Sequence, residues 1–178
     1  MSLAMLHSSK RLMRISLCVS GSDGESTVNH DAAGGIGCES PGRGIRVFPP
    51  LTMLYVAAEL HARGCALDFW DFNTLEVDAD EWVADHKLSE GTAALVLLSS
   101  LTTLERDIRR VARLRRRYPE LFIATIGTFY DQFADAMIAA GADAVVHGTP
   151  ELAIADCVLE RRRGSLHAEM SVSALEAL

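Results

Sequence analysis

Three short stretches carry residue types that could do chemistry. Ser99, Ser100, Leu101, Thr102 and Thr103 gather hydroxyls within one short run. Gly127, Thr128, Phe129 and Tyr130 set a residue without a side chain beside hydroxyls and aromatic rings. His147, Gly148, Thr149 and Glu151 form the third. Together they offer hydrogen bonds and close backbone approach, with no ring of carboxylates and no His/Cys cluster. That suits holding a neutral or phosphate-bearing organic molecule rather than metal catalysis. Cys18, Cys38, Cys65 and Cys157 are scattered, with no CxxC pair and no CxxxCxxC run to hold zinc or an iron–sulfur cluster. They read as reduced thiols of a cytoplasmic protein.

Each stretch also has a plainer reading. The hydroxyls suit the start of the helix that follows, Gly127 a tight turn, His147 a buried neutral imidazole and His30 an ordinary loop position. Arg106, Arg109, Arg110, Arg113, Arg116 and Arg117 recur at i+3 and i+4 spacing opposite an apolar face. They read as a solvated helix face, with a docking face for a partner domain as the alternative. Arg161, Arg162 and Arg163 stand where a helix ends and its dipole favours cations. Trp70 and Trp82 suit the core and its edge.

The elements that must position these stretches are legible as alternation. Apolar, β-branched runs at Met13–Ser20, Ala66–Phe72, Ala93–Ser99, Leu121–Gly127 and Ala144–Gly148 predict five strands. "ALVLLSS" and "LFIATIG" are apolar without alternation, as in parallel strands covered on both faces. Between them, "PPLTMLYVAAELHARG", "LTTLERDIRRVARLRRRYP", "YDQFADAMIAAG" and "ELAIADCVLERRRG" have helical spacing, with Pro49 and Pro50 opening the first and a Gly closing three of them. A further short helix is expected over Asp78–Glu90, and the polar tail after Gly164 is expected to fray. Short right-handed connections then give an α/β fold, a doubly wound five-stranded parallel sheet of flavodoxin type, order 2-1-3-4-5. The expected layout is a flexible start over 1–11, one domain over 12–164 and a tail or linker over 165–178. One segment breaks the rhythm: 21–48 is a Gly/Ser/Asp-rich loop longer than compact domains ordinarily carry, at the carboxyl edge where such sheets bind ligands.

Bulk properties limit the function. With 178 residues and 49% hydrophobic content, one core is expected. A net charge of -7 argues against nucleic acid and anionic membrane as partners. No apolar run is long enough to span a bilayer, and the first residues carry no signal-peptide core.

The runs "PPLTMLYVAAELHARGCALDFWDF", "ALVLLSSLTT" and "FIATIGTFYDQFADAMIAAGADAVVHGTPEL" resemble, in that order and over about residues 47 to 160, the cobalamin-binding domain at the front of B12-dependent radical SAM enzymes. That family includes the anaerobic cyclase of magnesium-protoporphyrin IX monomethyl ester. The resemblance implies cobalamin as cofactor and a radical SAM catalytic domain as partner, in cis or in trans, with no iron–sulfur cluster in this chain and no catalysis by this domain alone. It places Ser99-Ser100-Leu101 on the Ser-x-Leu that meets the nucleotide tail, and Gly127 on the first of two glycines against which the tail slides. Thr128 stands at the second. Pro49, Pro50 and Leu51 match the loop facing the corrin's lower side, and "HGTPE" (His147–Glu151) stands where the family has Gly-Glu-x-Glu. The Asp-x-His-x-x-Gly that supplies a cobalt ligand in methionine-synthase-like relatives is absent, with Val28 and Ala33 flanking His30 in its place.

Two rivals use the same topology. An FMN carrier is disfavoured because Asp23 and Glu25 would repel the phosphate and no helix follows at once to receive it. A phosphoryl receiver needs an Asp after the third strand and a Lys after the fifth, where Ser99 and Gly148-Thr149 stand. A third possibility is non-catalytic: a domain of this fold that has lost the cofactor and acts through protein contacts, as Thr128 and the altered "HGTPE" turn suggest.

Overall fold

The computed structural model of the protein describes residues 12–21, 26–42, 48–74, 88, 91–127 and 133–168. In chain order these form β1 (Arg14–Val19), β2 (Ser26–Asn29), a 3-10 turn (Ala32–Gly35), β3 (Cys38–Pro41), α1 (Leu51–Ala62), β4 (Ala66–Asp71), β5 (Thr92–Leu98), α2 (Leu104–Arg117), β6 (Phe122–Ile126), α3 (Ala134–Ala140), β7 (Ala144–Gly148), α4 (Pro150–Leu159) and β8 (Gly164–Ala168).

The central strands bury both faces, and their side chains alternate between two cores. On β5, Ala94, Val96 and Leu98 enter one cluster with Met53, Val56 and Leu60 of α1 and Ile154 and Val158 of α4. Leu95 and Leu97 enter the other, with Val111 and Leu114 of α2 and Met137 of α3. Each fully buried Leu or Ile contributes about 1.5–3 kcal/mol, so the sheet is the rigid frame on which the loops stand.

The fold is α/β with a parallel sheet, and its strand count and order correct the expected five in order 2-1-3-4-5. Among the described residues the sheet has six strands, ordered β4-β1-β5-β6-β7-β8, every pairing parallel. The added edge strand β8 falls where a fraying tail was expected after Gly164. It pairs with β7 from Ala144↔Gly164 to Gly148↔Ala168 and alternates half-buried with exposed residues. The sheet therefore reaches Ala168, beyond the expected boundary at 164. Gly164 opens a strand rather than closing a helix, since α4 already ends at Leu159.

The long loop is also corrected. β2 and β3 pair antiparallel from Ser26↔Pro41 to Asn29↔Cys38, with the 3-10 turn between them. The expected helix over Asp78–Glu90 lies outside the described residues apart from Leu88, as do Trp82 and the segments 1–11 and 169–178. No helix among the described residues is long and apolar enough to cross a membrane.

Candidate functional site

Beyond the strand ends the ladder continues for one more rung. The Ser20 N–H donates to the Leu98 carbonyl (3.2 Å), Ser99 N–H to Ile126 (3.0 Å) and Gly127 N–H to Val146 (3.3 Å). These residues thus line up along the carboxyl edge, where doubly wound sheets leave a crevice. Two adjoining cavities occupy it. One, of about 320 Å³, is lined by residues including Ser99, Gly127, Gly148, Tyr55 and Glu151. The other, of about 490 Å³, is more apolar and meets Val19, Val28, Phe48, Pro49 and Pro50. His30, Asp31 and Leu51 line both.

The β2–β3 unit is pinned beside these cavities from several directions. Gly37, at a φ of +83°, leaves no room for a side chain: a Cβ there would lie 2.7 Å from Ser100 Oγ. Next to it the Leu101 N–H donates to the Ile36 carbonyl (3.1 Å). The Asn73 side-chain oxygen accepts from the Val28 N–H (3.0 Å) and that of Asn29 from the Phe48 N–H (3.0 Å). Pro50, at the mouth of α1, has no side chain able to cap the helix. Asp31 performs that service from 21 residues earlier: its carboxylate accepts the Thr52 hydroxyl and the Thr52 N–H (3.4 Å). A carboxylate at a helix N-terminus is favoured both as hydrogen-bond acceptor and as a charge.

Beneath the end of β1 lies a charged network that the helical periodicity of α2 did not announce. The Ser20 hydroxyl donates to the Asp107 carboxylate, while Arg110 Nη1 donates to Ser20 Oγ (2.5 Å) and to Asp107 Oδ1 (3.0 Å). Asp107 is 0% and Arg110 4% exposed. Arg110 therefore does not belong to a solvated face, and Arg106 joins α2 to the β2–β3 unit, 3.7 Å from Glu39. The signal was available: Leu104, Asp107, Val111 and Leu114 fall on one 3-4-3 stripe, and Asp107 interrupts it with a charge that needs a buried partner.

His30 is the other residue whose part was not foreseen. It is 4% exposed, and its Nε2 lies 2.6 Å from the Ser20 carbonyl, so Nε2 carries the proton and donates it. Its Nδ1 finds no hydrogen-bond partner among the described residues. Burial pushes its pKa below the ordinary value, outweighing the Ser20 carbonyl and the carboxylates of Asp107, Asp31 and Asp71. The ring is neutral between two cavities.

The other sequence-selected residues separate into groups. Pro49, Pro50, Leu51, Ser99, Gly127, Gly148 and Glu151 line one cavity or the other. Ser100, Thr102 and Thr103 bind one another instead: Ser100 Oγ is 2.9 Å from Thr102 Oγ1, and the Ser100 N–H donates to Thr103 Oγ1 (3.1 Å). They knit the turn before α2, and Thr103 makes no side-chain cap to that helix. Leu101 is exposed. His147 is buried and turned toward β8, its Nδ1 2.9 Å from His167 Nδ1 and its Nε2 3.0 Å from Ser165 Oγ. The Thr149 N–H donates to the Ala168 carbonyl (2.8 Å). Thr128, Phe129 and Tyr130 lie outside the described residues.

Burial raises the Cys18 thiol pKa far above its ordinary range and pushes that of Cys157 up to about 12, so neither forms a ready thiolate. Among the described residues no three His, Cys, Asp or Glu side chains gather as a metal-binding group. No protein-family model matches this chain, and no curated protein matches it.

Proposed function

We propose that this domain binds a corrinoid at its carboxyl edge and presents it to a radical SAM catalytic domain, in cis or in trans. Ser99 carries the reading. Several buried serine and threonine hydroxyls lack a partner among the described residues, including Ser16 and Thr125, but Ser99 is the one that lines the crevice. An unmatched buried hydroxyl costs about 1–3 kcal/mol, and a ligand atom at that point removes the cost. The paired cavities, one more polar and one apolar, suit a ligand with a narrow polar arm and a broad apolar body. Ser99, Gly127 and Gly148 would hold the nucleotide tail, and Phe48, Pro49, Pro50 and Leu51 would meet the corrin. The corrinoid supplies cobalt as carrier of a methyl group or an electron. The chain's own residues orient it and keep water away.

A second reading has its own observation. Phe48, Leu51 and Tyr55 are 62%, 53% and 61% exposed, while the β2–β3 unit rests on Ser100. A domain without cofactor that works through protein contacts would also have these features. Titration with hydroxocobalamin, read by the visible spectrum and by retention through gel filtration, separates the two. Co-elution with a shifted spectrum is expected, weakened about tenfold by Ser99→Ala at an unchanged melting temperature and abolished by Gly127→Val. Free passage of the cofactor overturns the corrinoid reading and leaves the contact module.

A further inference from the structure

The opposite, amino edge of the sheet holds a separate cavity of about 460 Å³, lined by residues that include Leu88, Ala93, Arg117, Tyr118, Leu121 and Arg161. Its floor is apolar. The Tyr118 hydroxyl is buried with no hydrogen-bond partner among the described residues. Neighbouring cations are paired: Arg115 with Asp143 at 2.5 Å, Arg162 with Glu160 at 2.7 Å and Arg163 with Asp143 at 3.3 Å. Arg117 and Arg161 have no ion-pair partner among the described residues. The Arg161 guanidinium lies 6.0 Å from the centre of the Phe122 ring.

Arg161 also occupies a backbone position that ordinarily goes to glycine. Three helices close with the same pair of reversed hydrogen bonds. After α1, the Gly64 N–H reaches His61 (2.9 Å) and the Cys65 N–H reaches Leu60 (3.1 Å). After α3, Gly141 reaches Ile138 (2.9 Å) and Ala142 reaches Met137 (3.0 Å). After α4, Arg161 reaches Val158 (3.4 Å) and Arg162 reaches Cys157 (2.9 Å). The pivot is left-handed in each, at φ +80°, +114° and +52°. Glycine takes it without strain; an L side chain costs about 1–2 kcal/mol. A helix dipole would accept a cation anywhere in the last turn, so it does not explain why the cation sits on the strained residue at the cavity. Strain of this kind concentrates where a side chain has work to do.

We propose that the amino-edge cavity binds a small amphipathic carboxylate, its apolar part on Leu88, Ala93 and Leu121 and its carboxylate among Arg117, Arg161 and the Tyr118 hydroxyl. Glu120 also lines the cavity, but it is exposed and leaves the two arginines in excess. Planar guanidinium groups match a carboxylate, and the phenol adds a third donor. Within a chain of net charge -7, this local excess of positive charge selects an anion.

Phenylacetate is the probe, titrated into isotope-labelled protein and followed by amide chemical shifts. Saturable shifts are expected at Thr92, Ala93, Tyr118 and Leu121, with phenylacetamide, of the same shape but uncharged, binding roughly tenfold more weakly. Arg117→Gln combined with Arg161→Gly should weaken phenylacetate at least tenfold, and the glycine relieves strain, so unfolding does not explain that loss. Tyr118→Phe should weaken it while the melting temperature holds or rises, because an unmatched buried hydroxyl is removed. Equal binding of the amide, shifts confined to the carboxyl edge, or no saturable shifts would overturn the proposal.

Discussion

The two edges of the sheet use their polar side chains differently. At the carboxyl edge most are engaged by the chain itself: Asp31 caps α1, Ser100 and Thr102 meet beneath Gly37, and Ser20, Asp107 and Arg110 close a buried network. Of the buried polar atoms without a hydrogen-bond partner among the described residues, the Ser99 hydroxyl and the Nδ1 of His30 belong to residues that line the two cavities there. At the amino edge Arg117, Arg161 and Tyr118 face a cavity without such partners among the described residues. A polar residue near a cavity therefore says little until its existing bonds are known, and the informative groups are those the fold leaves over.

Four measurements would break or sharpen this contrast. The largest effect is expected from Arg110→Ala, which leaves the Asp107 carboxylate buried and uncompensated and should cost about 3–5 kcal/mol in urea unfolding. Replacing both by apolar residues of similar volume, Asp107→Leu with Arg110→Met, should recover much of that loss. If Arg110→Ala costs under about 1 kcal/mol, the network does not organise the carboxyl edge.

The next is a response to pH. His30 is neutral in the fold with its pKa lowered, whereas the unfolded chain takes up a proton near the ordinary value of 6.5. Unfolding then binds a proton below that pH, so the stability due to a neutral His30 is present above 6.5 and lost as the pH falls through and below it. Melting temperatures between about pH 8 and pH 5 should decline on the acid side, and His30→Gln should flatten the decline. An identical decline in the variant would assign it to other groups.

Asp31→Ala should cost about 1 kcal/mol through loss of the remote cap, with faster hydrogen exchange at the Thr52 amide. An unchanged exchange rate would mean that Pro50 alone fixes the start of α1. The smallest effect is expected at the other edge, where Arg161→Gly should raise stability by up to about 1 kcal/mol in thermal unfolding. A loss would show that the guanidinium makes contacts worth more than the strain.

The sheet's central strands were readable because "ALVLLSS" and "LFIATIG" are short apolar runs without alternation, bounded by turn residues, as in strands covered on both faces. Pro49-Pro50 marks the start of α1 in composition alone, and the cavities beside it lie at the end of the sheet where the loops after parallel strands gather. β8 was not readable: "GSLHA" is short, polar at alternate positions and stable only because β7 offers a free edge. β2 and β3 escaped for a similar reason, as "STVN" and "CESP" are only four residues long, lie in a Gly/Ser-rich segment and are held by Asn73, Ser100 and Arg106 from distant parts of the chain. Arg110 was misassigned because periodicity weighs hydrophobicity, and a buried ion pair looks polar on that scale however deep it lies.

The side chains beneath the carboxyl edge are also far apart along the chain. Ser20 and Arg110 are separated by 90 residues, and Val28 meets Asn73 across 45. The pairing of Leu17 with Val96 closes a loop as long, but Ser100 and Arg110 take their places only once β5 has joined β1, so the crevice is assembled after that central pair. During synthesis, the β2–β3 segment leaves the ribosome long before its anchors exist. Pulse-labelled hydrogen exchange should find the amides of Val28 and Leu101 protected after those of Leu17 and Val96, and simultaneous protection would count against this order. A nascent chain halted before Arg110 would thus have about half of its α1 core encoded and lack the means to shape a binding edge.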